Sequence, residues 1–182
     1  MRICRRLFVV VLADGDHGKT TMLKALVSLG GDPQFDRLRM APRELVSPWG
    51  RPIDAYLFGR SYQETRKRKH RSVLATLDAS DPSWRQRELI IFPSHVSGAS
   101  ADIDEMIDVG HRAGFDIICA SVIFTGQEPD DRTIFSGAWA KPWDERWTIP
   151  NQRRNPKDDD LVPQLNALGC DLWTWICQAL AS

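Results

Sequence analysis

The sequence carries no net charge, no paired cysteines, no apolar run of membrane length and no internal repeat, and each absence narrows what it can be. Lys plus Arg and Asp plus Glu number 24 each, so the formal charge at pH 7 is zero and a globally basic nucleic-acid binder is disfavoured. A local basic patch stays open. The four cysteines, Cys4, Cys119, Cys170 and Cys177, form no C-x-x-C pair and have no histidines at zinc spacing, so they read as reduced thiols of a cytoplasmic protein. No apolar stretch approaches the roughly 20 residues of a membrane span, and a soluble chain with no membrane partner is expected. The start, MRICRRLFVVVLADGD, mimics an export signal, but LFVVVLA is short for its apolar core and the residues after it read as a loop rather than a cleavage site.

What is present is the composition of an ordinary globular domain. At 182 residues, 42% hydrophobic and 26% charged, the chain suits one domain, 1–182, with one core. Leu7 to Leu12 is a continuous valine-rich run of the kind a parallel strand buried on both faces requires. TTMLKALVSLGG then places Met22, Ala25, Leu26 and Leu29 on one helical face, with Gly30 and Gly31 as its stop. Residues 32–60, with Pro33, Pro42, Pro48 and Pro52, read as loop with at most short elements, a candidate lid or substrate wall. SYQETRKRKHRSVLATLDA reads as a helix with Val73, Leu74 and Leu77 on one side. RELIIFPSHV is a second buried strand stopped by Pro93, ADIDEMIDVGHRAGF a helix, and FDIICASVIF a third strand. Regularity weakens over 125–160. The chain ends in a packing helix at 161–181, started by Pro163 and striped by Leu165, Leu168, Leu172, Ile176 and Ala179. Strands alternating with helices predict an α/β fold with a mostly parallel sheet.

The stretch ADGDHGKTT joins the first strand to the first helix. Its spacing, Ala13-x-x-x-x-Gly18-Lys19-Thr20, matches the phosphate-binding A/G-x-x-x-x-G-K-[ST] pattern, and strand before and helix after are the context that pattern needs. The physics is direct: backbone N–H groups of a small-residue loop converge on phosphate oxygens, and the helix adds the positive end of its dipole. Lys19 would bridge the β- and γ-phosphates, and the Thr20 hydroxyl would ligate Mg²⁺. With this motif the chain resembles the P-loop NTPase superfamily, closely over its first 30 or so residues and loosely in its α/β alternation. The resemblance implies a three-layer, P-loop NTPase-like sandwich and nucleotide binding along Ala13, Asp14, Gly15, Asp16, His17, Gly18, Lys19, Thr20 and Thr21. The loop is also similar to the D-G-x-G-K-T-T form of thymidylate kinases, although here the Asp-Gly pair falls one position early.

Asp14 and Asp16 in such a loop can point away from the phosphates; the alternative is that Asp16 or His17 touches a metal, a second substrate or an attacking water. The second strand ends in Ser94 and His95, where a P-loop enzyme usually carries an acid. These two read either as a polar strand end or as catalytic groups that sense the γ-phosphate or orient water. The missing acid is sought at Asp78 as a Mg²⁺ ligand, or at Asp102 and Asp104. No [NT]-K-x-D follows a strand, which favours ATP over a guanine nucleotide. RKRKHR, from Arg66 to Arg71, reads as a solvated helix face, a phosphate-neutralising lid or a nucleic-acid contact. Trp139, Trp143, Trp147, Trp173 and Trp175 read as core, or as a protein-partner surface if exposed. Three functions are expected to compete: a Mg²⁺-dependent ATPase or nucleotide switch acting with a partner, a kinase moving the γ-phosphoryl of ATP to a nucleotide or other small acceptor, and a non-hydrolysing nucleotide-binding module.

Overall fold

The valine run forms β1 (Leu7–Leu12), every residue of which is buried, as a strand covered on both faces must be. The computed structural model describes residues 5–15, 17–31, 38–124, 131–152 and 161–182. In chain order β1 is followed by α1 (Lys19–Leu29), β2 (Ala41–Val46), β3 (Pro52–Leu57), α2 (Tyr62–His70), α3 (Val73–Ser80) and a 3₁₀ turn (Trp84–Gln86). Then come β4 (Leu89–Ser94), α4 (Ser100–Arg112), β5 (Asp116–Phe124), α5 (Asp131–Trp139), β6 (Glu145–Asn151) and α6 (Leu161–Ala181). The six strands make one sheet in the order β2-β3-β4-β1-β5-β6; β2 runs antiparallel to β3 and the other pairs are parallel. The chain is therefore α/β with a mostly parallel sheet.

Alternation along β1 divides the core. Leu7, Val9 and Val11 pack with Met22 and Leu26 of α1 and with Leu172 and Ile176 of α6. Phe8, Val10 and Leu12 point the other way, into Tyr62 of α2, Leu77 of α3, Ile103 and Met106 of α4 and Phe135 of α5. Connections that step one way across the sheet carry their helices on this second face. The single step the other way, from β1 to β3, carries α1 on the first, as one crossover handedness demands.

Several elements differ from the sequence expectation. Residues 32–60 read as loop from their prolines, yet β2 and β3 form an antiparallel pair there; Pro42 is tolerated on an edge strand and Pro52 at a strand's first residue. The 62–80 helix is broken at Arg71, which takes φ 64° between α2 and α3. Pro93 does not stop β4. It pairs with Val11 beyond the point where β3 ends, and the missing N–H falls on that unpartnered side. Residues 131–152 hold α5 and β6, which weak regularity concealed. On α1 the buried face is Met22, Leu23, Leu26 and Val27, and Leu29 is 51% exposed. Pro163 lies third in α6, not first.

Candidate functional site

The loop after β1 opens at the carboxyl edge of the sheet, where neighbouring strands send their chains to opposite faces: β1 leads to α1 on one side, β4 and β5 to α4 and α5 on the other. Such a switch point leaves a crevice, the usual ligand position in an open α/β sheet. Gly18 takes φ 80° as the residue before α1, and a Cβ there would lie 2.5 Å from Leu165 Cδ2 of α6. Glycine thus permits both the turn and the close cover of α6. Among the described residues no side chain caps the start of α1 and no acid occupies its first turn, which leaves the N–H groups of that turn to an anion. Around Gly15 the space is open.

Lys19 is buried and turned back on the loop, its Nζ donating to the carbonyls of Ala13 and, at 3.0 Å, Asp14. Burial pushes its pKa down to about 8, against the upward pull of the Glu64 and Asp14 carboxylates. Among the described residues no carboxylate touches it. Thr20 is exposed and Thr21 half-buried beside it. His17 stacks on Phe124, centroids 4.0 Å apart, and its carbonyl accepts from Asn151 Nδ2 at 3.2 Å. This packing makes His17 a wall of the loop. Asp16 lies outside the described residues.

The Asp14 carboxylate is turned to the β4–α4 connection. Its Oδ1 accepts from the backbone N–H groups of Val96 and Ser97 at 2.9 and 3.0 Å, and its Oδ2 from the Ser97 hydroxyl at 2.5 Å. Burial would raise its pKa, but the hydrogen bonds from Ser97 and Val96 outweigh it and hold the carboxyl below the ordinary value. The side chain therefore ties the glycine loop to the β4–α4 connection. Asp14→Ala is expected to destabilise the fold by about 1–3 kcal/mol, because two N–H groups lose their acceptor. A group with a depressed folded pKa stabilises above its unfolded value and loses that contribution as pH falls through the folded one. The wild-type advantage in denaturant melts should therefore shrink below about pH 4.

Ser94 and His95 take different places. The Ser94 hydroxyl is fully buried, donates to the His95 carbonyl at 2.9 Å and accepts from Gln63 Nε2 at 3.0 Å, so it positions rather than faces a ligand. The His95 ring lies between two carboxylates, its Nδ1 3.9 Å from Asp14 Oδ1 and its Nε2 3.5 Å from Glu64 Oε1. Gln63 also accepts from His95 N–H at 3.0 Å and donates to Asp102 at 3.0 Å, which in turn pairs with Lys67 at 2.9 Å. Asp102 is thereby neutralised behind the site, and Asp104 pairs with Lys141.

Asp78 is not at the site, a correction of the expected Mg²⁺ ligand. It lies on α3, accepts from Trp84 Nε1 at 2.8 Å and pairs with Arg85, whose carbonyl is held by Arg6 at the amino-terminal edge of the sheet, opposite the glycine loop. The carboxylate that does approach is Glu64, at the start of α2, which sequence spacing could not reveal because α2 reaches the loop only through β3 pairing beside β4. Glu64 lines a cleft of about 800 Å³ with Thr20, Lys24, Arg39 and Arg60. Of the basic run, Arg66 lines a recess of this cleft, Lys67 is tied to Asp102, and Arg68, Lys69 and Arg71 are exposed.

The tryptophans divide as well. Trp143 and Trp173 are buried, and Trp139 donates to Ser121 Oγ at 2.8 Å. Trp147 and Trp175 meet edge to face beside a separate pocket of about 480 Å³ that includes Arg5 and Glu145, at the sheet edge away from the loop. Nothing in that pocket bears on phosphate chemistry. No helix among the described residues is long and apolar enough to cross a membrane.

No known protein family's profile matches the chain, and no curated protein matches it. Among solved structures it is similar to a de novo designed PLOOP2X3_50 fold protein determined by solution NMR, at 12% identity over 90% of each chain, with a TM-score of 0.38.

Proposed function

We propose that this chain is a P-loop NTPase-like three-layer protein that binds ATP with Mg²⁺ at residues 13–21 and cleaves the γ-phosphoryl, as an ATPase or nucleotide-controlled switch acting in the cytoplasm with a partner. The observation that carries this reading is Lys19: a buried cation, contacted by no carboxylate among the described residues, inside a glycine loop at the start of α1. Such a site offers the geometry for an anion. The loop N–H groups and Lys19 would hold the phosphates. The exposed Thr20 hydroxyl, with Glu64 in the same cleft, supplies the few hard oxygens that Mg²⁺ takes from protein when phosphates provide the rest. Bound Mg²⁺ would neutralise phosphate charge, and Glu64 with His95, 3.5 Å from it, would orient a nucleophile. Trp147 and Trp175, half-buried at the sheet edge, are the pair in the C-terminal third that a protein partner would meet. Arg68, Lys69 and Arg71 are the basic groups left for a nucleic acid, without aromatic company.

A second reading, transfer of the γ-phosphoryl to a small acceptor, is favoured by the arginine-lined cleft beside Thr20. Calorimetry with Mg²⁺ and a non-hydrolysable ATP analogue, followed by a phosphate-release assay with ATP, tests the proposal. Absence of heat with adenine and guanine nucleotides alike ends it, and binding without turnover leaves only the nucleotide-holding module. The pH profile adds an independent check. Below about pH 8 Lys19 is already charged; above it the protein must take up a proton to meet the phosphates, so the dissociation constant should rise up to about tenfold per pH unit. Titrations from pH 7 to 9.5 in buffers of different ionisation enthalpy read both the slope and the proton, and a flat profile contradicts the assigned role of Lys19.

A further inference from the structure

Several arginines of this chain are neutralised by carboxylates. Arg51 pairs with Glu88, Arg85 with Asp78, Arg87 with Asp54 and Asp81, and Arg112 with Asp108. Arg39, Arg60 and Arg66 are different: they line two adjoining pockets that share Leu38, Gly59 and Arg60, and none of them forms an ion pair among the described residues. Arg60 belongs both to the part beside Thr20, about 800 Å³, and to a recess of about 170 Å³ that adds Arg66, Met40 and Phe58. Three arginines, with Lys24, share this space with the single carboxylate of Glu64, an excess of positive charge that an anionic ligand would relieve.

The cleft is built rather than incidental. Gly59 stands at its centre, where a Cβ would lie 2.4 Å from the Leu38 carbonyl oxygen, so a side chain there would force the two walls apart. Phe58, just before it, is anchored by its N–H donating to the Ile91 carbonyl at 2.9 Å. Leu38, Met40 and Phe58 give the recess an apolar side opposite its cations.

We propose that this cleft is a second ligand site that takes a small phosphomonoester, the phosphate held by Arg60 with Arg39 and Arg66 and the organic body lying on Leu38 and Met40. Guanidinium groups match phosphate by paired hydrogen bonds, and the apolar side selects an organic phosphate over the free ion. The site rests on the phosphotransfer reading for its role, and on the cleft alone for its existence. Its volume admits a ligand of nucleoside monophosphate size.

The test titrates the full chain by calorimetry with the common nucleoside 5′-monophosphates and phenyl phosphate, against their unphosphorylated parents and inorganic phosphate. At least one phosphomonoester should bind tenfold or more tightly than both its parent and inorganic phosphate. Arg60→Ala should weaken that binding about tenfold, and a non-hydrolysable ATP analogue by a smaller factor; Arg112→Ala, exposed at the end of α4, should move neither. If no phosphomonoester exceeds inorganic phosphate, the site does not exist. Equal losses of both ligands in Arg60→Ala would also overturn it, assigning the cations to the ATP site itself. Heat with the ATP analogue but with no phosphomonoester sinks this inference and leaves the P-loop reading intact, whereas heat with neither sinks both.

Discussion

Lys19→Ala is expected to lower ATP turnover by about 10²–10³-fold and to weaken binding of the ATP analogue to a comparable degree. The size follows from where the ammonium sits. It is 8% exposed and inside the loop, so its charge acts on a ligand through little water, and truncation leaves nothing else in the loop to replace it. The same ammonium holds the Ala13 and Asp14 carbonyls, so the alanine variant also loosens the loop. Lys19→Met separates the two effects. It keeps most of the volume and removes the charge, and it should match alanine in lost binding while melting closer to wild type. A variant that melts early yet binds nucleotide undiminished would show Lys19 to be structural. Arginine is no equivalent here, because a planar fork cannot occupy the pocket that a single ammonium fills between two carbonyls.

The parts of this architecture that the sequence made legible are those buried on both faces. β1, β4 and β5 are unbroken apolar runs because helices cover each side, and α4 and α6 carry stripes wide enough to be read at helical spacing. β2 and β6 escaped because they lie at the sheet edges, where alternation replaces the continuous run and Pro42 and Pro150 are tolerated. The glycine loop was readable because its chemistry is local. Glu64, Gln63 and the arginine cleft were not, since they are assembled from the β3–α2 connection, residues 38–40 and α1, which only sheet pairing brings together. Asp78 shows the converse: an acid at a plausible distance in sequence, placed at the opposite edge by a helix that α2 and the Arg71 turn reorient.

The second large effect should come from a residue with no chemistry. Gly169 lies on α6, and a Cβ there would stand 2.4 Å from the Met22 carbonyl oxygen and 2.8 Å from Ala25 Cβ, both on α1. A backbone oxygen cannot move aside as a side-chain tip can. Alanine gains helix propensity of up to about 1 kcal/mol and still meets this contact, so its net effect should be small to moderate. Leucine at the same place must push the two helices apart, and Gly169→Leu is expected to cost about 3 kcal/mol or more, a Tm drop on the order of 6–12 °C for a chain of this length. The damage should not stay in the core. One turn earlier Leu165 covers Gly18, and α1 begins at Lys19, so displacing α6 uncovers the loop at its turn and tilts the helix that would face the phosphates. Nucleotide affinity should therefore fall together with Tm in Gly169→Leu, while Gly137→Ala, on α5 with nothing within 4 Å of its added Cβ, should leave affinity unchanged and, through helix propensity, hold or slightly raise Tm. Loss of stability with nucleotide binding preserved at temperatures well below the melt would separate the packing of α6 from the shape of the loop.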